Sequence, residues 1–79
     1  MEQSKADLRG LFTPETLFKL DIEINKLEDG DRLLALLDDI ESEDWIIRWA
    51  HKNGHDVLTT EKVATGLNVT IKKGGYRID

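Results

Sequence analysis

The sequence predicts a mainly α-helical domain, with three principal helices and a C-terminal β-hairpin. Apolar residues recur at helical spacing through the first two thirds of the chain: Leu17, Leu20, Ile24 and Leu27, then Leu33, Leu36, Leu37 and Ile40. Gly30, Gly54 and Gly66 fall where those periodic segments would stop. Near the end, Val69-Thr70-Ile71-Lys72-Lys73 and Tyr76-Arg77-Ile78-Asp79 flank Gly74-Gly75, the pattern of two strands around a two-residue turn. The 79 residues are read as one domain, 1–79. It divides into an N-terminal arm over 1–12, a helical body over 13–66 and the hairpin over 67–79.

In the arm, Ser4 followed by Asp7 is a weak helix start, and Leu8, Leu11 and Phe12 can fold back onto the body. Thr13-Pro14-Glu15 is a stronger start. A threonine hydroxyl accepts a free amide, proline suits the first helical position, and the glutamate favours the positive helix end. A rival reading covers residues 18–24. Phe18, Leu20, Ile22 and Ile24 alternate with Lys19, Asp21, Glu23 and Asn25, as in a half-buried strand. Asp, Glu and Asn are depleted in strands, which favours the helix; if the strand forms instead, the class becomes α+β.

After Gly30, Asp31 can cap a second helix through Ile40, and Ser42 a third over residues 43–53, stopped by Gly54. Thr59 or Thr60 can open a short helix through Ala64. In the hairpin, Val69, Ile71, Tyr76 and Ile78 share one face. The expected core is Leu17, Leu20, Ile24, Leu33, Leu36, Leu37, Ile40, Ile46, Trp49, Ala50 and Val63.

Charge is sorted along the chain. Residues 15–44 hold eleven Asp/Glu against three Lys/Arg, and residues 48–79 hold three against six. Five of the seven residues from 38 to 44 are acidic. Separated fields of opposite sign steer and orient a partner. Trp45 and Trp49 stand one helical turn apart beside the acids, a composition found both in cores and at binding hot spots.

Reaction chemistry finds no motif. There is no cysteine, so no disulfide, thiolate metal site or thiol nucleophile. Ser4 and Ser42 serve better as caps than as nucleophiles, and Gly74-Gly75 is not a phosphate loop. His51, His55 and Asp56 have a spacing that chelates zinc on a continuous helix, but Gly54 interrupts it. The acidic run lacks the glycine and glutamate positions of a calcium loop. No enzyme activity, cofactor or metal is expected.

Two likenesses stand out, one in the C-terminal third and one over Lys26 to Val63 with Gly74-Gly75 beyond it. Leu58-Thr59-Thr60-Glu61-Lys62-Val63-Ala64 with Leu67-Asn68-Val69-Thr70 resembles the opening of a helix-turn-helix. In its winged form, residues 45–53 and 59–64 would be the helices and the basic hairpin the wing. The spaced leucines, Trp45-Ile46-Ile47-Arg48-Trp49-Ala50-His51-Lys52-Asn53-Gly54 and Thr60-Glu61 are similar to nitrogen-fixation-type leader domains of ribosomally made peptides. There Gly74-Gly75 would be the processing site, so the two likenesses assign incompatible roles to the same glycines.

The sequence therefore predicts a small, non-enzymatic regulatory or inhibitory protein that docks on another protein with a basic surface. Its contacts are Asp38, Asp39, Glu41, Glu43 and Asp44, with Trp45. The alternative is a winged-helix DNA-binding protein whose Lys62, Lys72, Lys73 and Arg77 meet phosphates. Homo-oligomerisation is a further option, since a small core with spare tryptophan surface favours it. No apolar run approaches the roughly 20 residues that span a bilayer. The polar N-terminus is not a secretory signal, and the expected location is the cytoplasm.

Overall fold

The computed structural model describes residues 3–74. The chain runs β1 (Gln3–Asp7), α1 (Glu15–Ile24), β2 (Arg32–Leu37), α2 (Ser42–Lys52), β3 (Asp56–Val63) and β4 (Gly66–Lys72). The strands form one mixed sheet in the order β1-β2-β4-β3. β1 pairs parallel with β2, while β4 runs antiparallel to both β2 and β3. β2 and β3 are therefore parallel, and each helix crosses over between parallel strands. Two right-handed crossovers moving the same way across a sheet put both helices on one face.

That face is the core. Leu33, Ala35 and Leu37 of β2 alternate inward beside Leu67, Val69 and Ile71 of β4, with Ala6 on β1. Leu20 and Ile24 of α1 and Ile46 of α2 close over them. Each fully buried Leu or Ile contributes roughly 1.5–3 kcal/mol relative to exposure. The other sheet face carries the half-buried Leu34, Leu36, Asn68 and Thr70.

The class is thus α+β, not mainly α, and it arises differently from the α+β alternative. Residues 18–24 lie inside α1, so the helix prevails over its strand rival there. The extra strands come from three other places. The arm supplies β1, whose register sets Ser4 beside Leu33 and Ala6 beside Ala35. The expected second helix is β2: its leucines fit both periods, and the flanking strands satisfy its backbone groups. Of the expected short helix, residues 59–63 belong to β3, which bulges between Val57 and Thr59, and Ala64 lies in the turn that follows.

The hairpin that forms joins β3 to β4 through Ala64 and Thr65. Val69 and Ile71 do share the buried face, whereas Tyr76 and Ile78 lie outside the described residues. The third expected helix stands as α2, stopped by Gly54 at φ +78°. Of the expected core, Leu20, Ile24, Leu33, Leu37, Ile46 and Ala50 are buried, and Leu17 and Trp49 pack half-buried against it. Leu36 is half-buried on the opposite sheet face, and Ile40 and Val63 are exposed.

Candidate functional site

In a sheet with parallel strands, the crevice outside the carboxyl ends is where ligands and partners collect. Here the β1–α1 loop, residues 8–14, meets the β2–α2 loop, residues 38–41, at that edge. The Leu8 amide donates to the Leu36 carbonyl at 2.8 Å, carrying the β1–β2 pairing one step further. The Gly10 amide then donates to Asp38 Oδ2 at 2.8 Å. Arg9 folds back on Asp7, with Nε to Oδ1 at 2.9 Å and a terminal guanidinium nitrogen to Oδ2 at 2.8 Å.

Deeper in the crevice, Ser42 Oγ donates to Asp39 Oδ2 at 2.9 Å. A carboxylate only accepts, so the serine proton is committed there. The 2.9 Å contact between Thr13 Oγ1 and Ser42 Oγ therefore has Thr13 as donor. Asp39 also accepts the Glu41 amide at 3.1 Å. A relay Thr13–Ser42–Asp39 ties the start of α1 to the start of α2. Sequence reading gave Thr13 and Ser42 capping roles, yet neither helix start has a side-chain cap.

Phe12 stands out of this edge, 62% exposed. Just inside, Thr16 is fully buried and its Oγ1 has no hydrogen-bond partner among the described residues. An unpartnered buried hydroxyl costs about 1–3 kcal/mol. Thr16→Val keeps the shape and removes that cost, so it should raise the thermal midpoint by a few degrees, read by calorimetry.

Electrostatics mark the same loop. The Arg9 hydrogen bonds to the Asp7 side chain hold that carboxyl down from 3.8 to about 2. Asp7 in turn raises the Arg9 guanidinium. A depressed carboxyl stabilises the fold above its unfolded value, and that contribution is lost as pH falls through the folded one. The window here is about pH 4 down to about pH 2. Both side chains are more than half exposed, so solvent screens the pair and the stability change is small. The titration itself is the observable. The Asp7 carboxyl should titrate near its folded value by NMR and return toward its ordinary one in Arg9→Ala.

The expected contact acids are split by this arrangement. Asp38 and Asp39 hold the two loops together, whereas Glu41 and Asp44 are exposed and Glu43 half-buried. Trp45 is 49% exposed but belongs to the outer face of α2, where Arg48 lies 5.7 Å above its ring. Of the basic set, Lys62 is exposed on β3 and Lys72 half-buried on β4. Lys73 Nζ donates to the Leu27 carbonyl at 2.6 Å, and Arg77 lies outside the described residues. With residues 59–63 in a strand, the helix that would enter a DNA groove is not formed.

His51 is exposed on α2, while His55 is buried and its Nδ1 accepts the Gly74 amide at 3.0 Å. Among the described residues no group of three or more His, Cys, Asp or Glu is placed to hold a metal ion. None of their helices is long and apolar enough to cross a membrane.

A family model described as TusA: Sulfurtransferase TusA matches residues 4–73. No curated protein matches the chain. The family match corrects the functional expectations drawn from the sequence. The regulatory docking module built on an acidic surface and a Trp-bearing helix, and its winged-helix alternative, both give way to a sulfurtransferase-family domain. The leader-domain likeness gives way with them. Sequence reading placed no site in Arg9 to Thr13, although Leu8-Arg9-Gly10-Leu11-Phe12-Thr13-Pro14 stands between a strand and a helix start.

Proposed function

Because the chain belongs to the TusA sulfurtransferase family, we propose that it serves sulfur transfer as a docking domain that carries no sulfur itself. One observation carries this reading: the match runs over residues 4–73, yet the sequence contains no cysteine. Sulfane sulfur moves between proteins when a thiolate attacks it and holds it as a persulfide. A hydroxyl such as that of Thr13 does not ionise near neutral pH, and the thioether of Met1 cannot form a persulfide.

What remains is recognition without the chemical step, so the chain is not an enzyme of sulfur transfer on its own. The contact edge is formed by Arg9, Phe12 and the adjoining β2–α2 loop. The partner is a sulfur-handling protein with a basic surface, met in the cytoplasm where relay thiols stay reduced.

Competition tests the proposal. A thiol-bearing TusA-family domain is loaded from a cysteine desulfurase in the presence of excess of this chain. Loading should slow with wild type and recover with an Arg9→Ala/Phe12→Ala variant. Unchanged loading at large excess of wild type would remove the reading.

A further inference from the structure

The outer faces of α1 and α2 form a groove of about 520 Å³, lined by Leu17, Phe18, Asp21, Trp45, Arg48, Trp49, Lys52 and Asn53. Phe18 is 66% exposed on one rim and Trp45 49% exposed on the other. Large aromatic side chains at a rim with Arg beside them are what binding hot spots are made of. Asp21 stands on the α1 wall, Arg48 and Lys52 on the α2 wall. None of the three takes part in an ion pair among the described residues.

The two walls are complementary to each other. Both helices return from the carboxyl ends of parallel strands, so they run in the same direction. Phe18 and Trp45 each lie three residues after the first residue of their helix, and Asp21 and Arg48 each lie six after it. At about 1.5 Å per residue these two pairs sit at matching depths along the groove. A two-fold axis lying along the groove sets α1 of one copy against α2 of another. Phe18 then meets the other copy's Trp45, and Asp21 meets its Arg48, twice over by symmetry.

We infer that this groove is the interface of an isologous homodimer, with a second copy of the chain as its occupant. The inference is independent of the sulfur-relay reading, whose contact edge is the pair of loops at the helix starts.

Sedimentation over micromolar to several hundred micromolar protein at low salt tests it. Wild type should show a concentration-dependent dimer. Asp21→Arg and Arg48→Asp, both at exposed positions, should each weaken it roughly tenfold or more. An equimolar mixture of these two variants should dimerise again, because each supplies the charge that the other's wall needs. Phe18→Ala should weaken the dimer without charge change. Wild type that stays monomeric throughout overturns the inference. So does a dimer indifferent to these substitutions, or a variant mixture that does not recover.

Discussion

Thr13→Cys should convert a chain that takes up no sulfur into one that takes up a single sulfane sulfur per molecule. Thr13 stands directly before Pro14 and the first turn of α1, where the positive helix end stabilises a thiolate. Thiols at helix starts ionise near or below neutral pH, against about 8.5 for an ordinary cysteine. With inorganic polysulfide as donor, the thiolate attacks a sulfane sulfur; one S–S bond forms, another breaks, and a shorter polysulfide leaves. Thr65→Cys, in the exposed β3–β4 turn, is the control with an ordinary thiol. Mass spectrometry should show the gain of one sulfur at neutral pH at least tenfold faster at position 13 than at position 65. Equal rates would mean that the loop edge gives a thiol no activation.

Gly66→Ala should produce a large loss of stability for a single methyl addition. Gly66 opens β4 at φ +157°, and a Cβ there would overlap the Leu37 carbonyl oxygen at the end of β2. The colliding atom is backbone in a buried central strand pair, so relief requires moving the β2–β4 ladder. Backbone strain and displaced packing together should cost about 3 kcal/mol or more. For a domain of this size that lowers the thermal midpoint by roughly 12 °C or more. Gly10, at φ +89° with nothing within 4 Å of an added Cβ, carries only the backbone penalty, and alanine there should cost less.

Where the sequence specified structure locally, it was legible. α2 declares itself through acids in its first turn, His51 and Lys52 in its last, and Gly54 as its stop. α1 resolves in favour of helix because its polar residues tolerate a helix surface and are poor in a strand. The strands were obscured for particular reasons. In β2, Leu33, Leu36 and Leu37 fit a helical stripe while Leu33, Ala35 and Leu37 fit a strand face. Only pairing with β1 and β4, distant in the chain, decides between them. β1 reads Gln-Ser-Lys-Ala-Asp, with no β-branched or aromatic residue, and its strand state rests on β2 beside it. β3 does carry Val57, Thr59, Thr60 and Val63, but its bulge breaks the alternation that would have identified it.

The candidate site was less legible than the fold. The acidic run was visible as charge, yet Asp38 and Asp39 are spent on the Gly10 amide and the Ser42 hydroxyl. Thr13 and Ser42 are 29 residues apart in sequence, and nothing local links their hydroxyls. The absence of cysteine was read as excluding disulfides, thiolate metal sites and a thiol nucleophile, and it gains a further meaning once the family is known.

The central claim is that the edge formed by the β1–α1 and β2–α2 loops recognises a sulfur-handling protein without taking sulfur. Amide shift mapping of the labelled chain, titrated with a cysteine desulfurase under reducing conditions, tests it most directly. The account predicts perturbations over residues 8–16 and 38–42, lost in the Arg9→Ala/Phe12→Ala variant. Perturbations confined to β3 and β4, or none at a hundredfold excess over the chain's own micromolar concentration, would contradict it.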